Sequence, residues 1–138
     1  MSKDKMTDTG NRISFGEGKA FREPTTDKGR YDLISPFAMD RLAKWLELGC
    51  KKYNDRNWEL GGIPFSRYVD SAKRHLNKYL MGMEDEDHLA GVLFNICALI
   101  HFEVLEKFED DDLPHYLREK LIDKDEEYIA PWDREDGK

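Results

Sequence analysis

The stretch from Arg67 to Glu103, RYVDSAKRHLNKYLMGMEDEDHLAGVLFNICALIHFE, holds the chain's main apolar run and its most unusual polar residues. Tyr68, Ala72, Leu76 and Tyr79 recur at spacings of 4, 4 and 3, which puts them on one stripe of a helix facing the core. Asp70, Arg74, His75 and Lys78 lie off that stripe. Gly82 can end this helix, and Glu84 to Asp87 places four acids at the start of the next, where they complement the helix dipole. From His88 to about Glu103, Leu89, Val92, Leu93, Phe94, Ile96, Cys97, Leu99 and Ile100 leave nearly every side apolar, the pattern of a helix buried centrally in its domain. Asn95 interrupts that run. The whole reads as a helical hairpin. At roughly 1.5 Å rise per residue its apolar part is too short for a bilayer and is flanked by acids, so no membrane partner is expected.

The flanking segments arrange themselves around this hairpin. Ser35-Pro36 combines a capping side chain with a proline suited to a first turn, and Met39, Leu42, Leu46 and Cys50 continue as an apolar stripe to about Tyr53. The stretch YNDRNWELGGIP that follows breaks the period with Asn-Asp, Asn57 and Gly61-Gly62 and reads as a loop. Its Trp58 either packs down on the core or lines a pocket for a planar base. Beyond the hairpin, Leu113-Pro114 opens a short helix with Tyr116, Leu117 and Leu121 on its apolar side. Tyr128, Ile129 and Trp132 mark an arm in the charged tail. The expected organisation is a flexible N-terminal segment over residues 1–30, a helical domain over 31–122 and an acidic arm over 123–138, all-α in class.

A chain of 138 residues supports one domain and benefits from forming a homo-oligomer. Its net charge of -7 is unevenly spread, with +2 over residues 1–30 and -7 over 106–138. An acidic chain without a basic stripe argues against duplex nucleic acid as a partner, though not against a nucleotide held with metal ions. Within the positive front segment, Lys19, Arg22, Lys28 and Arg30 stand among glycines; they form either a solvated tail or a lid closing on a polyphosphate. Cys50 and Cys97 are the only cysteines. Neither lies in a CxxC pair, and the N-terminus lacks the apolar core of a signal peptide, so structural thiols and a cytoplasmic location are expected.

Candidate chemistry follows from the helix faces. Asp70, Asp87 and the loop acids, with Glu47 from the preceding helix, could gather oxygens for a hard divalent cation such as Mg2+. Arg74, His75 and Lys78 could bind phosphate, and Asn95 could orient a water, a base or a carboxylate. Each has a plainer alternative. Asp70 with Arg74, and Glu47 with Lys51, are ordinary pairs four residues apart, and Asn95 could satisfy a buried polar group. Gly91 aligns with Asp87 and Asn95 and admits the close approach of a helix or ligand.

Taken together, the REP and KGRYDL segments, the KKYNDRNW block, the SAKRHLNK helix and the DEDHLAGVLFN helix resemble the phage dATP/dGTP diphosphohydrolase domain family over about residues 19 to 105. That family is related to the MazG-like all-alpha nucleotide pyrophosphohydrolases. The resemblance implies a MazG-like helical bundle, usually oligomeric, that binds a purine deoxynucleoside triphosphate with Mg2+ or Mn2+ and releases monophosphate and pyrophosphate. By position, Lys28, Gly29, Arg30, Tyr31 and Asp32 match its N-terminal signature, and Glu47, Lys51, Tyr53, Asn57 and Trp58 match the first helix and loop. Ser71, Arg74, His75, Lys78, Asp85, Asp87, His88 and Asn95 match the hairpin. The expected roles are catalysis by Asp87, His75 and Glu47, and metal binding by Glu47, Asp70 and Asp87. Lys28, Arg30, Lys51, Asn57, Trp58, Arg74, Lys78 and Asn95 are expected to hold substrate. MazG-like enzymes proper carry ExxE on one helix and ExxD on the next; here those positions offer Asp70 before Arg74 and His75, and Asp87 before Ala90 and Gly91. The alternative is therefore a protein that binds a nucleotide without hydrolysing it.

Overall fold

The computed structural model describes residues 5–24 and 27–118. The chain divides into two units, Met1–Asp40 and Arg41–Lys138. In the first unit, β1 (Ile13–Ser14) pairs antiparallel with β2 (Phe21–Arg22), Ile13 opposite Arg22 and Ser14 opposite Phe21. The sequence reading left this segment without structure. Its turn is built by Lys19 N–H donating to the Gly16 carbonyl at 3.1 Å and by Gly18 at φ +70°, a conformation that glycine adopts without steric cost.

Three helices account for most of the remaining regular structure: α1 (Pro36–Lys52), α2 (Phe65–Leu80) and α3 (His88–Val104). The expected all-α hairpin is therefore present. Ser35 caps α1, its hydroxyl accepting from the Ala38 N–H at 3.3 Å. At the end of α2, Gly82 takes φ +81° and Met83 N–H returns to the Lys78 carbonyl at 3.0 Å, closing the last turn. The side chain of Asp87 then caps α3, accepting from Ala90 N–H at 3.2 Å. No helix among the described residues is long and apolar enough to cross a membrane.

The core sits between α2 and α3 at the end remote from their connection. Phe65, Tyr68, Ala98 and Phe102 are buried together, with Trp58, Leu99 and Leu113 packed against them. Phe65 and Phe102 stack at 5.8 Å, and Trp58 meets Phe94, His101 and Phe102 edge to face. The chain leaves α3 through residues that tie back to the start of α2. Phe65 N–H donates to the Asp110 carbonyl at 2.9 Å, and the Asp112 carboxylate accepts from both the N–H and the hydroxyl of Ser66.

Three expectations need correction. The α2 stripe buries only its first half, since Tyr68 and Ala72 are buried while Leu76 and Tyr79 are more than half exposed. The α3 helix is not enclosed on nearly all sides: Leu93, Ile96, Cys97 and Ile100 face solvent, because α2 is the one helix packed along its length and α1 buries no residue at all. A helix does not open at Leu113-Pro114 either, where the backbone is irregular through His115 and a turn covers 116–118. The rest of that segment, including Leu121, and the proposed arm with Tyr128, Ile129 and Trp132 lie outside the described residues.

Two stability changes follow. Phe102→Ala removes the ring that Trp58, Phe65 and Tyr68 all meet and is expected to cost about 3–5 kcal/mol in a denaturant melt. Among the described residues the buried Tyr68 hydroxyl has no hydrogen-bond partner, so Tyr68→Phe is expected to leave stability unchanged or raise it, by up to about 1 kcal/mol.

Candidate functional site

At the other end of the hairpin, next to the connection, four polar side chains converge. His75, on α2, and His88, the first residue of α3, approach Nδ1 to Nδ1 at 2.9 Å. The second nitrogen of His88, Nε2, lies 2.8 Å from Asp85 Oδ1, and Glu86 Oε2 lies 4.0 Å from His75 Nδ1. His88 is 2% exposed and His75 is largely covered, whereas Glu86 is half exposed. Among the described residues, His75, Glu86 and His88 form the one group of three metal-capable side chains whose donor atoms lie within 4.8 Å of one another.

Local sequence explains why these residues meet. Gly91 faces the His75 ring so closely that a Cβ there would lie 2.9 Å from Cδ2 and 3.0 Å from Cγ and Nε2. The missing side chain is what admits the ring between the helices. Trp45 of α1 covers His75 from another side, edge to face at 5.4 Å. One turn farther along α3, the Asn95 amide donates to the Gly91 carbonyl at 2.7 Å and to the Ser71 hydroxyl at 3.2 Å, which fixes the separation of the two helices.

The hydrogen bonds also assign the protons. The bond from His88 holds the Asp85 carboxyl below its ordinary pKa, so it is ionised and accepts from His88 Nε2–H. In the tautomer with its proton on Nε2, His88 presents a lone pair at Nδ1, for which His75 Nδ1–H is the matching donor. Burial pushes the His75 pKa down. Glu86 opposes that shift, and His88, Lys78 and Arg74 add to it.

The residues anticipated for chemistry are distributed more widely. Asp87 accepts two bonds from the Arg41 guanidinium besides capping α3, and this cation holds its pKa down. Asp70 pairs with Arg74 on the exposed face of α2. Glu47 and Lys51 are exposed on α1. With two of the three anticipated metal carboxylates engaged by arginines, Glu47, Asp70 and Asp87 do not gather into an oxygen cage for a hard cation among the described residues. Lys78 is half-buried beside the histidines.

Asn57 begins a 3-10 turn (Asn57–Leu60), and the Trp58 ring is spent on core packing. In the first unit, Lys28 pairs with Glu23 and Arg30 with Asp32. Asp85 and His88 were legible as parts of a family pattern without an assigned role, and Glu86 was not singled out. The acid-to-histidine spacing of three in DEDH, at a helix start, was the available signal. A recess of about 320 Å3 at the far end of the hairpin is lined by Glu59, Glu109, Asp110 and Lys107, an acid excess that repels a polyphosphate.

The fold and this cluster define an all-α protein built on a two-helix hairpin, with histidine and carboxylate groups gathered at its connection. A family model described as "dATP/dGTP diphosphohydrolase, N-terminal" matches residues 19–112, more than half of the chain, and the chain belongs to that family. No curated protein and no solved structure matches it.

The buried histidine predicts a pH effect. Because the folded pKa of His75 lies below the ordinary 6.5, the neutral ring favours folding. That contribution is complete above the unfolded value and is lost as pH falls through the folded one. The melting temperature of chelator-treated protein is expected to fall between about pH 7 and pH 5, and His75→Asn to flatten this slope. A second expectation concerns Gly91→Ala, which forces the His75 ring to move and breaks its bond to His88, read from the ring nitrogen resonances.

Proposed function

We propose that the chain is a nucleoside triphosphate pyrophosphohydrolase that cleaves dATP- or dGTP-like purine nucleotides to monophosphate and pyrophosphate with a divalent metal. Family membership over residues 19–112 carries this reading. The hairpin connection supports it chemically. Arg74 and Lys78 place two cations on the helix that presents His75, suited to the oxygens of a triphosphate. Arg74 would exchange its exposed partner Asp70 for phosphate at little cost, since a solvated ion pair contributes at most about 1 kcal/mol. The Asp85–His88–His75 network holds ring nitrogens at a fixed point beside those cations. A divalent metal, when bound, would neutralise phosphate charge; the chain's own contribution is to position and screen the triphosphate.

The second reading, a protein that sequesters a nucleotide without hydrolysing it, is favoured by one observation. The carboxylates expected to hold the hydrolytic metal are paired with Arg41 and Arg74 instead of converging. One assay separates the two. Purified protein is incubated with dATP, dGTP or ribonucleotides in Mg2+ or Mn2+, and the products are resolved by ion exchange with and without heat denaturation. Chelator-sensitive monophosphate and pyrophosphate are the expected outcome. Intact nucleotide recovered only after denaturation establishes the binder. If the hydrolase reading holds, Arg74→Ala is expected to raise KM by about tenfold to a hundredfold, the worth of a hydrogen bond to a charged group.

The working form is proposed to be a homo-oligomer. Among the described residues the buried apolar core comprises Phe65, Tyr68, Ala72, Ala90, Ala98 and Phe102, while Leu48, Leu76, Ile96 and Ile100 are exposed. Such a surface fits a second copy of the chain. Light scattering is expected to give at least twice 16.2 kDa at about 50 µM, and Ile96→Glu to return the protein toward monomer while keeping its helical circular dichroism.

A further inference from the structure

We propose that His75 and His88, with Glu86, bind a first-row transition-metal dication of the Zn2+, Co2+ and Ni2+ class in preference to Mg2+. The proposal stands on side-chain geometry and does not depend on nucleotide hydrolysis. Where the hydrolase reading also holds, it names the metal class of that site.

Two neutral imidazoles facing each other through the same nitrogen constitute a chelate. Metal–nitrogen bonds of about 2.0–2.1 Å set at right angles span about 2.9 Å, and the two Nδ1 atoms are 2.9 Å apart. Tetrahedral ligation widens that separation by about half an ångström, within the reach of a side-chain adjustment. Glu86 Oε2, 4.0 Å from His75 Nδ1, belongs to a half-exposed side chain in the connection and reaches a shared ion by a rotamer change.

The surroundings suit a metal more than a permanent hydrogen bond. Asp85 accepts from His88 Nε2–H at 2.8 Å, which leaves the lone pair of that ring on Nδ1, facing His75 Nδ1 at 2.9 Å. A carboxylate behind a ligating histidine fixes its tautomer and raises its basicity, and this is the usual partner of a metal-binding imidazole. His75 needs only to move its proton from Nδ1 to Nε2, so both rings become ligands without net loss of a proton. Gly91 beneath the ring and Trp45 at its edge hold His75 in place in either state. Nitrogen donors with one carboxylate select borderline dications. Mg2+ demands an oxygen set, and the described residues offer no such gathering here.

The test uses the full chain, stripped with chelator and without nucleotide. Co2+ is added, followed by its visible absorption, and ring nitrogens are observed by long-range proton–nitrogen NMR with Zn2+. The chain has four histidines. Expected are one equivalent of metal per chain, perturbation of His75 and His88 with His101 and His115 unmoved, and a switch of His75 to its Nε2–H tautomer. A thousandfold excess of Mg2+ should leave the Co2+ spectrum intact. Asp85→Asn is expected to weaken binding about 10- to 100-fold, and His88→Asn to weaken it further. Metal resonances appearing on His101 or His115, displacement by Mg2+, or unchanged Co2+ affinity in a folded His75→Asn, His88→Asn double variant would overturn the site. The wild-type NMR arm needs no substitution, so a variant that fails to fold leaves the question decided. Metal binding without turnover rejects only the hydrolase reading, and turnover in Mg2+ without His75 or His88 shifts rejects only this one.

Discussion

The close approach of α2 and α3 at Gly91 governs both the packing of this hairpin and its chemistry. A side chain at that position would collide with the His75 ring, so the absence of one lets an imidazole from one helix lie against the backbone of the next. Asn95, one turn on, then bonds the carbonyl of the same glycine and the hydroxyl of Ser71. This arrangement satisfies a buried amide while holding the helices at one separation. Glycine inside a helix costs on the order of 1 kcal/mol relative to alanine, and here that cost is offset by a contact no other residue allows. His75 is thereby delivered to the start of α3, where His88 waits with its second nitrogen anchored on Asp85.

How much of this was legible in the sequence depends on the range of the forces involved. Helix limits were, because they are local: Ser35-Pro36 and Asp87 set starts, Gly82 a stop, and the observed helices follow those signals. The short hairpin at Ile13 to Arg22 was not. Its two-residue strands are too brief for an alternating pattern, and the glycine turn between them was read only as a break in periodicity. Burial was misjudged for a different reason. Hydrophobic periodicity predicts which side chains prefer to be covered, but not which segment covers them, and among the described residues Leu76, Ile96 and Ile100 are left exposed.

The site followed the same division. Arg74, His75 and Lys78 lie on the helix face that spacing assigned to charge, yet their partners depend on the register between α2 and α3. Spacing of four made Asp70 with Arg74 an ordinary pair, and that pair is present. The partnership of Asp87 with Arg41 was invisible, since it spans from α1 to the cap of α3. So was the meeting of His75 with His88, thirteen residues apart on opposite sides of a turn. Only the geometry of the Gly82 stop and the Asp87 cap puts them nitrogen to nitrogen.

That geometry bears on what replaces the acidic helix pairs of MazG-like enzymes. A four-carboxylate site concentrates negative charge, which is tolerable only while hard cations neutralise it. Here two arginines do some of that work permanently: Arg41 on Asp87 and Arg74 on Asp70. The donors that remain convergent are mostly neutral rings. Lys78 stands beside His75 outside those two pairs, a cation left next to the histidine cluster.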